Sequence, residues 1–500
     1  MKQYRAWTPE QAYLLPPSPL EWLPEGHLAY FVLELVRELD LKGIESALQE
    51  KDARGTRPYS PRMMTALLLY AYCVGVFSSR KIERATYEDV AFRVLAGGEH
   101  PHFTTVNEFR LVHRAALASQ FLQVLRLCRR AGLASLGHVS LDGSKVQANA
   151  SKHKAMSYER MKEEEKRLAA EIEAILFRAD KVDGHEDERY GRGQKAEQLP
   201  EEMQRRDARL TKIRAAKAEL ESEAKRARVE ELLDQAKAQR EHAETALDEV
   251  ERKRAAARAG KAEEEARSLS DDDDDDGAPP SGEGNGGSEL PHHRVPTTPA
   301  GEPTSKAQRN FTDADSRIMV KNGTFVQGFN AHVIVDGDHQ IIVAEAVTNQ
   351  PPDCEHLAPM VDRMVANCGQ APQTMTADAG YFSTQNAAYC EQNDIDAYIA
   401  LRKSDDANAL GRLPATRAQD ARQVMYAKLT TEEGRATYAR RKGIVEPVFG
   451  QIKEARRFRR FSLRGIDKVR AEWSIVCLCH NVLKLFRAIG SLTQLPAVAS

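Results

Sequence analysis

The sequence predicts an α/β protein: a mixed sheet flanked by helices, preceded by a helical amino-terminal domain and interrupted by a long charged insertion, helical and then disordered. Three observations predict it. Apolar residues recur at helical spacing from about 25 to 133. Short β-runs alternate with helical runs between 328 and 400. Between the first β-run and the rest lies a stretch of Glu, Lys, Arg and Ala, too sparse in apolar residues for a core.

The helical domain spans 15–134. Ser60-Pro61 places a cap before a proline at the first helical position of RMMTALLLYAYCVGVF. Thr105 and Glu108 form a capping-box pattern that opens the next long helix, which Gly132 can close. Exposed Arg and Lys on several short helices suit DNA binding or dimerisation; a plain helical bundle explains the same pattern.

HVSLD (138–142) is a β-run ending at Asp142-Gly143 and begins the sheet, whose first part is 135–155. The insertion, 156–305, starts as long solvated helices, a coiled-coil-like hairpin broken near Asp183-Gly184 and Gly191, and becomes a polyacidic, Gly/Pro-rich linker. Strand signals resume in 306–490 with GFNAHVIVD (328–336), and Gly337-Asp338 turns that strand back into QIIVAEAV (340–347). Then follow a helix capped by Asp353 and stopped by Gly369, the strand TMTAD (374–378), a helix and the strand IDAYIA (395–400).

At 500 residues the chain has room for two or three domains. A formal charge of -2 announces no nucleic-acid partner for the chain as a whole, so any such partner must be read from the distribution of charge. The seven cysteines (Cys73, Cys128, Cys354, Cys368, Cys390, Cys477, Cys479) are scattered without CxxC pairs, as reduced thiols are. Neither a signal-peptide core nor an apolar run of about 18 residues occurs, which points to a soluble cytoplasmic protein without a membrane partner.

Two aspartates, Asp142 and Asp378, end β-runs in SLDGS and TADAG; Glu446 lies in IVEPVFGQIK, where Val445, Val448, Phe449 and Ile452 give a helical apolar face. Three carboxylates converging at one end of a sheet would repel one another unless cations held them. Such hard oxygen ligands suit Mg²⁺ or Mn²⁺, and two ions about 3.5–4 Å apart can activate a water or 3′-hydroxyl and stabilise the leaving oxygen of a phosphodiester. From Arg435 to Arg470 there are 12 Lys and Arg against Glu446, Glu454 and Asp467, a tract of +9 that would neutralise DNA phosphates. Its candidate DNA contacts are Lys453, Arg456, Arg457, Arg459 and Arg460. Singly, a strand-end Asp-Gly is a turn, as Asp336-Gly337 is, a basic helix is a solvated face, and Glu446 is a first-turn helix residue. The joint order carries the reading.

SLDGS, TDADSRIM (312–319), QGFNAHVIVD (327–336), TADAGYFS (376–383) and IVEPVFGQIK (444–453) resemble the motif series of bacterial insertion-sequence DDE transposases, and FTTVNEFR resembles the end of their helical domain. The resemblance covers about 15–155 and 305–490. It implies an RNase H-like catalytic domain with Asp142, Asp378 and Glu446 as metal-holding catalytic residues, hydrolysis at transposon ends, and strand transfer into target DNA by the freed 3′-hydroxyl. It also implies double-stranded DNA as partner, nucleoid association on DNA, and a homodimer or higher assembly.

Some branches carry the pattern Y-x2-R-x3-E-x6-K. Glu446 and Lys453 fit its second half. Tyr438 and Arg441 keep their mutual spacing but lie one residue too far from Glu446, and Lys442 takes the arginine place. Asp315 and Arg317 read as structural residues near the site, and His292-His293 as linker residues rather than ligands. The alternatives are an RNase H-like nuclease without strand transfer and an inactivated DNA-binding relative.

Overall fold

The computed structural model describes residues 18, 21–49, 57–190, 201–246, 248–270, 290–321, 323–402 and 417–496. Seven helices come first: α1 (Leu28–Glu38), α2 (Lys42–Gln49), α3 (Pro61–Val74), α4 (Ser79–Glu88), α5 (Val90–Ala96), α6 (Phe103–Val112) and α7 (Arg114–Arg130). Pro61 opens α3 as expected. The capping box does not form. His102 caps α6 three residues early by accepting from the Thr104 amide, Thr105 falls inside the helix, and the chain breaks at His113 before α7.

The sheet is mixed and six-stranded. Its strands are β1 (His138–Gln147), β4 (Arg317–Lys321), β5 (Thr324–Asp336), β6 (Ile342–Thr348), β7 (Thr374–Ala377) and β8 (Asp396–Ile399), in the order β4-β5-β1-β7-β8, with β6 also on β5. A separate ribbon pairs β2 (Ala155–Ser157) with β3 (Gln308–Asn310). Helices α11 (Leu357–Cys368), α12 (Thr384–Gln392), α13 (Arg417–Thr430), α14 (Glu432–Ile444), α15 (Glu446–Gly450) and α16 (Ile466–Ile489) complete the layers. β1 does not end at Asp142-Gly143: β5 pairs with it from Val139 through Gln147, so the Asp-Gly step is held flat inside a strand.

The helical segment is not a module apart. α3 and α7 pack on α16, which also lies against β6, and one continuous buried cluster runs from Phe31 and Leu68 through Trp473 to Val333. No single helix among the described residues is long and apolar enough to cross a membrane.

The insertion folds as α8 (Tyr158–Tyr190), α9 (Glu201–Thr245) and α10 (Glu249–Ser270). α8 runs through Asp183-Gly184; Gly191 lies outside the described residues. Ion pairs Glu165–Arg214, Glu171–Arg206 and Arg228–Glu265 lace the helices in antiparallel order. The sequence was too sparsely apolar to announce a core, yet a small one exists, made by Tyr158, Met161, Leu168, Leu210, Ile213 and Leu220 with Val295 and Ala307. The polyacidic stretch lies outside the described residues, but the expected linker is not linker from Leu290 onward: Leu290 is buried in the main core and Val295 in the small one.

Candidate active site

Register brings the two aspartates together. β1 runs parallel to β7 with Leu141 beside Ala377, so the next residue on each chain, Asp142 and Asp378, stands at the same height on neighbouring backbones, which in sheets lie about 4.8 Å apart. Asp378 leaves the strand and caps the turn Ala379–Tyr381, accepting from the Gly380 amide at 2.9 Å. The Asp142 carboxylate accepts from the Gly143 amide at 2.8 Å.

From α14, Arg441 reaches Asp142 with an N–O distance of 3.0 Å, both side chains nearly buried. Burial pushes the Asp142 carboxyl up to about 6, while Arg441 pulls it down and Asp378 pushes it further up. Burial also raises Asp378, again against Arg441. Tyr438, one turn earlier on α14, is raised by burial; Arg441 opposes this, and Asp378, Asp142 and Glu446 add to it, so this phenol lies within electrostatic reach of all three carboxylates.

Spacing along the sequence left Arg441 and Lys442 undecided, and the structure separates them. α14 ends at Ile444, Val445 breaks it, and Pro447, which has no amide proton to donate, sits in the first turn of α15. The backbone nevertheless stays in the right-handed helical region at Val445, whose amide donates to the Arg441 carbonyl at 3.1 Å. Arg441 faces Asp142, and Lys442 faces solvent.

Glu446 stands apart from the aspartate pair, exposed in the first turn of α15. Among the described residues no three His, Cys, Asp or Glu side chains converge closely enough to hold a metal ion. The aspartate pair does fit a divalent cation: two adjacent, largely desolvated carboxylates offer hard oxygen donors, and burial raises both against the pull of Arg441.

The candidate DNA contacts separate by environment. Lys453 leaves a π-helical turn (Gln451–Ala455) and donates to Ser144 Oγ, two residues beyond Asp142 on the same face of β1. Burial lowers it to about 8, helped by Lys321 and Arg459, which form a positive cluster with it. Arg457, Arg459 and Arg460 are exposed. Arg456 corrects the expectation: it is 3% exposed, donates to the Val476 carbonyl at 2.9 Å and to Gln451 Oε1 at 3.1 Å, and so points into the core. A crevice of about 790 Å³ between the helical segment and the sheet is lined by Arg80, Phe103, Asn149 and Arg460 among others.

Asp315 is structural as expected, accepting from the Ile466 amide at the start of α16. Arg317 is bound to the Ser316 carbonyl and His293 Nδ1, and His292 lies 3.5 Å from Glu230. Sequence reasoning missed Asp353. It caps no helix with its side chain; instead its Oδ1 accepts from Lys145 Nζ at 2.9 Å and Asn330 Nδ2 at 2.7 Å beside the aspartate pair. Lys145, three residues after Asp142, was the one available signal.

Two family models and a curated relative match parts of the chain. Residues 292–482 match the family described as Transposase DDE domain, a stretch that holds Asp378 and Glu446 and begins after Asp142. Residues 18–111 match the Transposase domain DUF772. The transposase for insertion sequence element IS1106 of Neisseria meningitidis serogroup B is 25% identical over 172 residues, 34% of this chain. That alignment spans 52%, about half, of the relative's own length. No solved structure matches.

Proposed function

We propose, for a chain that belongs to the insertion-sequence DDE transposases, that it hydrolyses DNA at the ends of its element and joins the freed 3′-hydroxyl to target DNA. The observation that carries this reading is the in-register pair Asp142 and Asp378 with Arg441 laid against it. The order β6-β5-β1-β7-β8, with only β5 antiparallel to β1, supports an RNase H-like description of the sheet.

In this reading Asp142 and Asp378 would hold the divalent cations, Mg²⁺ or Mn²⁺ and two in number, and Glu446, which stands apart from the pair here, would join them as third ligand only on a move of α15 toward the pair. When bound, such ions supply activation of the attacking oxygen and stabilisation of the leaving one. The chain's own groups do the rest. Lys453, with Lys321 and Arg459, holds the phosphate beside β1. Arg441 carries fixed positive charge at the point where phosphate charge develops. The exposed Arg457 and Arg460 extend the contact along the duplex, past the crevice lined by Arg80.

Protein, Mg²⁺ and labelled element-end DNA should yield cleaved ends and products joined to target. Cleavage without joining would make the chain a nuclease of this fold, and no cleavage at all would remove the reading.

A further inference from the structure

The face of the sheet opposite Lys453 carries a buried polar cluster that the chemistry above leaves unused. His332 on β5 lies across from Gly143, the residue after Asp142, and is 0% exposed. Its Nδ1 is 2.6 Å from the hydroxyl of Tyr381, itself fully buried, in the turn that follows Asp378. One strand neighbour of Asp142 and the turn carrying Asp378 are thereby tied by a single hydrogen bond. A neutral imidazole has one donor and one acceptor nitrogen. With Tyr381 donating to Nδ1, the ring proton is on Nε2, which makes no hydrogen bond and lies 4.0 Å from Asp353 Oδ1.

Sterics reinforce the tie. A Cβ on Gly143 would meet both His332 Nδ1 and the Tyr381 hydroxyl at 2.9 Å, closer than real side chains come. The glycine after Asp142 is thus required by this hydrogen bond rather than by a turn. On the other side, a Cβ on Gly380 would lie 3.1 Å from an oxygen of Asp353 and 3.1 Å from one of Asp378, so those carboxylates are separated by at most twice that distance. Asp353 is in turn fixed by Lys145 and Asn330.

Resting on the carboxylate reading above, we propose that His332 and Tyr381, backed by Asp353, are positioning residues that set the separation of Asp142 and Asp378 and so the fit of the pair to its cations. They touch no substrate and act only through the two aspartates.

The test titrates Mn²⁺ alone onto the full chain by electron paramagnetic resonance, alongside single-turnover cleavage and end-DNA affinity. Tyr381→Phe keeps the ring and its packing but removes the hydroxyl. It should weaken Mn²⁺ binding and slow cleavage about tenfold, a shift that a positioning loss allows, with DNA affinity and melting temperature close to wild type. His332→Asn should have a similar effect, and the double variant should be no worse than either single one, because both remove the same bond. Gly143→Ala should match them. Mn²⁺ binding lost in Asp378→Ala but intact in Tyr381→Phe overturns the positioning role and leaves the carboxylate reading standing; wild-type binding in both overturns both. Additive losses in the double variant also contradict the proposal.

Discussion

Burial raises the Asp142 carboxyl to about 6, so between pH about 4 and about 6 the folded chain holds a proton that the unfolded chain has lost. Stability falls as pH rises through that window, by at most about 3 kcal/mol, since each pKa step of one is worth about 1.4 kcal/mol. Asp142→Asn should therefore raise the melting temperature at pH 7.5 and leave it near wild type at pH 4, with part of the gain offset because Arg441 loses its counter-charge. A calorimetric pH series checks this; equal effects at both pH values would contradict it. The neighbours Arg456 and Arg457 make a second contrast. Arg456→Ala removes a buried, hydrogen-bonded guanidinium and should cost several degrees of melting temperature. Arg457→Ala should leave melting unchanged and reduce the salt slope of DNA binding by about 1. In the sequence these two arginines are indistinguishable, since a count of charges carries no burial. The π-helical turn at 451–455 and the left-handed backbone of Arg457, at φ 63, rotate successive side chains in ways helical spacing does not foresee.

Among elements, β1 shows what local patterning can and cannot give. Its alternation announced a strand at HVSLD, and the true end five residues later depends on β5, a partner almost 190 positions away. The hairpin of β5 and β6, and the strand before Asp378, were legible because turn chemistry and alternation are local. Arg441 was not, because its contact with Asp142 is made across the fold, about which a residue count along one helix says nothing. Arg441→Gln should slow single-turnover cleavage at least tenfold, as loss of a fixed charge at the reacting phosphate does, whereas Lys442→Gln should stay within about twofold. Equal effects would restore the spacing argument and remove Arg441 from the site.

At the scale of the molecule, the insertion is bound to the sheet domain by charge. Arg309, only 8% exposed in its side chain, is held by Glu219 and Glu223 of α9, and Glu223 also lies 3.7 Å from Arg317. Composition marks 156–305 as an insertion of solvated helices and linker; it shows which residues are solvated on average and not which carboxylates answer a buried arginine elsewhere. Removing 160–300 should lower the melting temperature by several degrees, because an unpaired buried charge is expensive, and adding Arg309→Gln should recover part of the loss. An unchanged melting temperature would show the insertion to be energetically separate. The helical segment is likewise continuous with the sheet: buried Arg110 donates to Tyr72, whose hydroxyl donates to Glu472 on α16, and Glu472 accepts from the Ser462 and Leu463 amides in the basic loop. This network fixes the basic loop to both layers.

If Asp142 and Asp378 carry the reaction by holding cations, a change of ligand at Asp378 must change which metal supports cleavage. Single-turnover cleavage of labelled element-end DNA by Asp378→Cys should be abolished in Mg²⁺ and partly restored in Mn²⁺, because a thiolate is a poor ligand for the harder ion, while wild type cleaves in both. Wild-type cleavage by Asp378→Cys in Mg²⁺ would contradict the account.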